Sequence, residues 1–276
     1  MSSAGSRLAL VLGGRLEPRP RGVRNRGAIA WRVLPPLAFG VVLVGAWELY
    51  VAASGVRASI VPGPADVATA LERDRSLLLS AAATTLGEIA AGYGIAIVVG
   101  IALAIAVAAS RVVERALYPW LVVSQVVPIP VLAPIVVVWT GIDIRPKLIV
   151  IALVTFFPIA VNTIDGLRAT DPELVGLLRT LGAGRWAVFR VARLPTALPY
   201  LFSGLRVAAA FAVIGAVFAE WVGSVSGLGT LVLSYDNQAA TADEFAVVVV
   251  LAVIGVALFA LVSAVERVLV PWWRAT

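Results

Sequence analysis

The chain contains no cysteine and no histidine. The first absence excludes disulfides and thiolate metal sites. The second removes the commonest general base and metal ligand. Every basic residue is arginine except Lys147. No Gly-x-x-x-x-Gly-Lys-Ser/Thr phosphate loop is present, so the chain is not expected to hydrolyse ATP itself. Ser203-Gly204 and the run 224–229 supply hydroxyls, but no base for a triad stands near either. Serine and aspartate among apolar residues raise the idea of an intramembrane protease, and their pattern does not fit one. No catalytic residue, metal or cofactor is assigned.

Charge is scarce too. Charged residues make up 14% of the chain and apolar residues 61%, with a mean hydropathy of +0.98. A soluble domain carries about 25% charged and about 45–50% apolar residues. A helix needs roughly 20 apolar residues to cross the hydrocarbon core. Candidate spans are 34–53, 85–109, 117–140, 148–166, 198–218 and 245–268. Backbone groups in lipid must be satisfied internally, so these are helices. The fold class is all-α: a polytopic membrane protein of about six transmembrane helices.

The net charge of +6 does not imply nucleic-acid binding, because the arginines cluster between spans. Residues 1–32 hold Arg7, Arg15, Arg19, Arg21, Arg24, Arg26 and Arg32 against one acid, Glu17. Arg111 and Arg115 follow the second span, and Arg168, Arg179, Arg185, Arg190 and Arg193 follow the fourth. The segment 221–244 has no basic residue. By the positive-inside rule both termini and the 168–196 loop are cytoplasmic. Residues 1–32 read as a basic cytoplasmic tail, partly disordered, and 33–276 as the membrane domain. The tail is too long and too basic for a signal peptide, and no small-residue cleavage site follows it.

Within the membrane domain, Val61-Pro62-Gly63-Pro64 is a turn, and 65–79 reads as a short interfacial helix on the outer face. Gly87, Gly92, Gly94 and Gly100 in the second span read as helix-packing residues. Pro119, Pro128, Pro130 and Pro134 interrupt the third span. Proline removes a donor and kinks a helix. The spacing predicts a broken span, one helix ending near Val127 and a second covering 131–140. Broken helices are tolerated where they line a cavity, which makes Pro128, Pro130 and Pro134 candidate pathway residues, with Asn162, Ser203 and Glu220 beside them. Glu48, Glu88, Asp165 and Glu220 fall near span ends, where the interface is within reach, and Arg206 is placed to snorkel. No ladder of acids runs through the spans, so a proton relay is not supported.

The segment 171–195 stands apart: a polar, arginine-studded stretch of helical character between two apolar spans. Leu177, Leu178, Leu181, Trp186 and Phe189 supply an apolar face, and Arg185 is among the bases that would orient it. Gly182 and Leu194-Pro195 hold the spacing of the coupling loop of binding-protein-dependent ABC importers, and Gly-Ala-x-Arg-Trp-x-x-Phe at 182–189 is similar as well. On these residues the chain resembles the permease subunits of that family. The family's Glu-Ala-Ala falls on Gly176-Leu177-Leu178, so its acid is lost, and Glu173, about one turn earlier, is the substitute. The runs 128–134, Trp139-Thr140-Gly141-Ile142, 156–159, 162–167 and 220–229 resemble the branch that moves taurine, alkanesulfonates, nitrate and vitamin precursors. Asp165, Arg179-Thr180-Leu181-Gly182 and 215–221 are most similar to hydroxymethylpyrimidine or riboflavin permeases.

The resemblance implies a type I ABC importer permease fold in a bacterial inner membrane, with a coupling loop at about 168–196. It implies two cytoplasmic ATPase subunits, an extracytoplasmic substrate-binding protein and a homodimer, since one chain brings one coupling loop and two ATPases need two. The expected solute is a pyrimidine or vitamin precursor, with sulfonate, taurine or nitrate as the alternative. Competing classes are a secondary transporter or channel, which needs no ATPase, and an intramembrane enzyme, which would depend on one Ser or Asp.

Overall fold

A computed structural model describes the backbone of residues 26–274 and the side chains of 34–272. The expected tail lies outside the described residues up to residue 25. From Arg26 the chain is helical, so the last residues assigned to that tail belong to the first helix. That helix, α1 (Arg26–Ser54), is apolar around nearly its whole circumference. It forms one unit by itself, and a second unit begins at Gly55.

The second unit opens with α2 (Pro64–Arg73). Its start is written locally: Pro64 occupies the first helical turn, where the missing N–H costs nothing, and the Asp66 carboxylate accepts from the Gly63 N–H at 3.0 Å. The chain breaks at Asp74 and re-enters helix as α3 (Arg75–Ala109). The interfacial helix expected over 65–79 is therefore two elements, and the second span starts some ten residues earlier than its apolar run suggests. Ser80 and Thr84 do not end it, because their hydroxyls donate back to the carbonyls of Leu77 and Ser80 in the preceding turn.

α4 (Arg111–Val126) and α5 (Ile129–Thr140) are bent by 103° across the Val127–Pro128 junction. The expected break is present. Pro128 lacks the donor needed to continue α4, while Pro119 and Pro134 are absorbed inside helices. Next come α6 (Ile144–Arg168), α7 (Pro172–Thr180), the short α8 (Arg185–Val188), α9 (Leu194–Trp221), α10 (Leu228–Asn237) and α11 (Thr241–Leu269). Among the described residues there is no strand. Five helices are long and apolar enough to cross a bilayer, and the bent α4–α5 pair supplies a sixth crossing if taken together.

α6 is the centre of the second unit, lying between α3 and α9. Lipid tails are as apolar as leucine, so helices in a membrane associate through close packing rather than through escape from water. The sequence provides for this with a small residue every four positions on α3: Gly92, Ala96, Gly100 and Ala104. A methyl on Gly92 would meet Ile151, and one on Gly100 would meet Ile159 and the Phe156 carbonyl. Both contacts advance by eight residues on each helix, so α3 and α6 run parallel. Gly87 and Gly94 have nothing within 4 Å and take no part. On the other side α9 runs antiparallel to α6. A Cβ on Gly204 would lie 2.6 Å from the Pro158 carbonyl, and one on Gly166 would lie 2.7 Å from Tyr200 Cβ. Tyr93 donates to the Leu205 carbonyl at 2.7 Å and ties α3 to α9.

Replacing Gly204 with alanine should therefore push α9 off α6 and destabilise the protein by roughly 1–3 kcal/mol, as overpacking does. Gly94→Ala should be neutral or slightly stabilising. Thermal unfolding in detergent checks both, and equal midpoints for the two variants would refute the packing argument.

Candidate functional site

Three sets of residues lie outside simple helix packing. The first is at the end of the second unit that carries Arg168, Arg179 and Arg193. Asp171 begins α7, its carboxylate accepting from the Glu173 N–H at 2.8 Å, with Pro172 in the first turn. The helix stops where Gly182 takes φ +84°. The Gly182 N–H donates to Arg179 O at 3.0 Å and the Ala183 N–H to Leu178 O at 2.9 Å, the paired bonds of a Schellman closure. Nothing lies within 4 Å of a Cβ at Gly182, so its glycine is required by backbone conformation and not by space.

After this turn α8 begins at Arg185 and runs through a wide turn, Phe189–Arg193, straight into α9. The Leu194 N–H bonds Phe189 O, five residues back. Pro195 explains the widening: its ring would collide with the Val191 carbonyl in a regular helix, and it has no N–H to donate there. The segment read as one polar helix is thus two helices joined by a tight turn. The helix that holds the fifth span does not start at residue 198; it is continuous from Arg185.

The side chains expected to dock a partner are open. Leu177 is 58% exposed, Leu181 75% and Trp186 71%. Glu173, Arg185 and Leu194 are exposed as well, while Leu178, Phe189 and Pro195 are half-buried. Trp186 and Phe189 stack with ring centroids 5.6 Å apart. Exposed apolar side chains thus stand here among arginines.

The second set surrounds the α4–α5 break. A cavity of about 220 Å³ lies there, bounded by Ser124, Gln125, Pro128, Val150, Val154 and Phe211 among others. Of the expected pathway residues, Pro128 alone lines it. Pro130 and Pro134 are exposed on α5. Asn162 packs near Gly204, its amide donating to Pro158 O at 2.8 Å. The Ser203 hydroxyl accepts from Arg206 at 2.9 Å, and Arg206 also pairs with Glu266 on α11. Arg206 is therefore held in an ion pair between helices, where the sequence reading has it snorkelling. Gln125 and Phe211 escaped that reading. An uncharged amide within an apolar span was the available signal for Gln125.

The third set is at the opposite end of the bundle, and it encloses Glu220. This carboxylate is 1% exposed. The Thr85 hydroxyl donates to it at 2.6 Å, the Gly229 N–H donates at 2.6 Å, and the Leu228 N–H donates to Thr85 at 2.9 Å. Glu220 thus caps the amino end of α10, where helix amides favour an anion. Gly227, at φ +121°, must be glycine on two counts, since a Cβ would also strike the Glu220 carboxylate. Nearby, Lys147 donates to Glu88 at 2.5 Å and to Ser224 at 2.6 Å. The sequence reading puts Lys147 in a loop and Glu88 at the interface. Both are buried instead, because each neutralises the other where neither can be hydrated. Among the described residues, Glu88 Oε2 has no partner. None of these groups borders the cavity at the break.

Outside the spans, Arg73, Asp74, Tyr235 and Asp243 tie α2, α10 and α11 together. Asp74 accepts from Arg73 at 3.2 Å and from the Tyr235 hydroxyl at 3.0 Å, and Arg73 also pairs with Asp243. The hydrogen bond from Arg73 holds the Asp74 carboxyl below its ordinary value. Burial, and then the adjacent carboxylate, push the Tyr235 phenol up to about 12.

Residues 96–275 match the family described as "Binding-protein-dependent transport system inner membrane component". The chain is 36% identical over 244 residues to the formylaminopyrimidine transport permease protein ThiX of Halalkalibacterium halodurans, covering 88% of this chain and 97% of that one. It is 34% identical to the riboflavin transport system permease protein RibX of Chloroflexus aurantiacus over 260 residues, covering 94% and 96%. In structure it is similar to a chain of an amino acid ABC transporter, with a TM-score of 0.58 at 16% identity, over 72% of this chain and 97% of that chain.

Removing the Lys147 charge alone should be costly. Lys147→Met leaves Glu88 as an unpaired buried charge, with an expected loss of about 3–5 kcal/mol. Adding Glu88→Gln to that variant should recover part of the loss. A double-mutant cycle on thermal unfolding measures the coupling, and additive losses would show that the pair is not coupled. The Asp74 contacts should respond to acid. A carboxylate with a lowered pKa stabilises above the ordinary carboxylate range, and that contribution disappears as pH falls through the lowered value. Protection of amides in α2 and α10, taken relative to the intrinsic exchange rate at each pH, should therefore be unchanged near neutrality and fall only in acid, which is acceleration beyond the intrinsic trend. Acceleration already at mildly acidic pH would contradict this.

Proposed function

The chain belongs to the family of inner-membrane components of binding-protein-dependent transport systems, and on that footing we propose that it carries a pyrimidine or vitamin precursor inward as half of a homodimeric ABC importer. ATP hydrolysis belongs to two separate cytoplasmic ATPases, and an extracytoplasmic binding protein delivers the solute. The names of the relatives, a formylaminopyrimidine permease and a riboflavin permease, support the solute class. The arginine-rich end, with both termini, faces the cytoplasm, in keeping with the charge distribution.

The observation that carries this reading is the exposed apolar stripe of Leu177, Leu181 and Trp186. It runs over the capped helix α7, the Gly182 turn and the start of α8, between two apolar spans. Seated in a groove of an ATPase, such a helix is displaced when ATP draws the two ATPases together. Because α8 continues into α9, displacement of the docked helix moves a transmembrane helix directly. Glu173, Leu178, Gly182, Arg185, Phe189, Leu194 and Pro195 shape or flank this surface, and Pro128 borders the path the solute takes.

The test is co-purification and ATP-driven uptake in proteoliposomes with candidate ATPases and binding proteins. A β-branched residue in the left-handed region costs roughly 1–2 kcal/mol, so Gly182→Val should weaken ATPase association by roughly 5–30-fold. Gly182→Asn should be milder, since asparagine tolerates that conformation. Uptake and association that survive Gly182→Val unchanged would remove the docking role. Uptake without any ATPase would point to a secondary transporter.

A further inference from the structure

The cavity at the helix break has a chemical character of its own. Among the described residues, no charged side chain lines it. Its polar side chains are those of Ser124 and Gln125. α4 ends at Val126, so its last-turn carbonyls have no following helical N–H to bond them. The N–H groups of Val131 and Leu132 turn instead to Pro128 O. The Ser124 proton is spent on Leu121 O at 2.7 Å, which leaves the hydroxyl as an acceptor toward the cavity. The Gln125 side chain is exposed and, among the described residues, has no hydrogen-bond partner. Phe211 contributes an aromatic ring, also partly open.

The depth of this site gives these facts their meaning. Val150 and Val154 stand six to ten residues from the Ile144 end of α6, roughly 9–15 Å along the axis. An amide left without a partner in hydrocarbon costs roughly 2–7 kcal/mol. Polar residues at such depth face a water-filled path or the bundle interior rather than lipid. The face bearing Gln125 therefore looks onto the pathway.

We infer that the cavity lined by Ser124, Gln125, Pro128 and Phe211 is a solute subsite for a neutral, planar, amino-bearing heteroaromatic ring. The inference rests on the importer reading above and narrows it. An anion is disfavoured because no charged side chain among the described residues answers it there. A glutamine amide offers an acceptor and a donor side by side. That pair matches an exocyclic amine next to a ring nitrogen, the way glutamine reads adenine. The Phe211 ring supplies a stacking face, and the last-turn carbonyls of α4 accept any further N–H. A sulfonate or taurine has no planar ring to stack on Phe211 and no ring nitrogen beside an amine for Gln125 to read.

The test uses the purified permease–ATPase complex without binding protein, with labelled 4-amino-5-hydroxymethyl-2-methylpyrimidine and labelled taurine as probes in equilibrium dialysis. The pyrimidine should bind saturably and taurine should not. Gln125→Leu should weaken pyrimidine binding about tenfold or more, as expected when a site loses its paired hydrogen bonds. Phe211→Leu should weaken it less, and ATPase co-purification should be unchanged in both, which shows that the variants are folded. No pyrimidine binding by the wild-type complex, equal binding of taurine, or full binding by Gln125→Leu each overturns the inference. The importer reading is judged separately, by ATP-driven uptake in the wild type. Uptake that persists while Gln125→Leu binds normally would sink the subsite alone.

Discussion

At Gly204 the backbone of α9 lies so close to α6 that a single methyl group would sit 2.6 Å from the Pro158 carbonyl. The rest of the bundle is arranged around that contact. In lipid there is little gain from hiding apolar surface between helices, and the attraction that remains is dispersion, which falls steeply with distance. Glycine and alanine at Gly92, Ala96, Gly100, Gly166 and Gly204 allow the backbones to approach, and Ile151 and Ile159 fill the space left over. Both isoleucines are fully buried. With α6 held from two sides, the flanking helices have fixed positions from which to present loops and turns.

Charge is used sparingly and placed where it constrains geometry. Glu220 holds the amino end of α10 through Gly229 and Thr85, and Lys147 joins α6 to α3 through Glu88. Replacement of such pairs by apolar residues often leaves stability unchanged, so their value lies in what they orient. Here they fix the loop between α9 and α10. The arginines at the other end have few acids near them; Arg168 pairs with Glu114 at 2.6 Å. Among the described residues, one end of the bundle thus pairs its buried charges internally, leaving only Glu88 Oε2 open, and the other presents charge with few partners beside exposed apolar side chains.

Much of this was legible in the sequence because lipid imposes simple rules. Five crossings, and the bent α4–α5 pair as a sixth if taken together, follow from run length, and the break at Pro128 follows from a missing donor. Gly182 was found by its spacing, and its φ of +84° supplies the reason for that spacing. What stayed hidden depended on contacts between distant residues. Nothing local distinguishes Glu88 from an interfacial glutamate; only Lys147, 59 positions away, makes it a buried pair. Span starts were misjudged at Arg75 and Arg185 because hydropathy marks where lipid begins, while a helix continues as long as its backbone bonds are met. Gln125 carries no motif beyond its amide, and only the bend brings it to the cavity that Phe211 also lines.

The wide turn at Phe189–Arg193 has an angular consequence. Each residue of a regular helix advances the spiral by about 100°, and a wide turn holds one residue more than the regular count. Everything before it is thereby rotated relative to everything after. Trp186 and Phe189 point where they do because of that single surplus residue, while Gly204 and Gly215 still face α6. The turn acts as a phase setting between two gears on one shaft. It lets the exposed face around Trp186 and the face that packs on α6 vary independently in sequence while the two move as one piece.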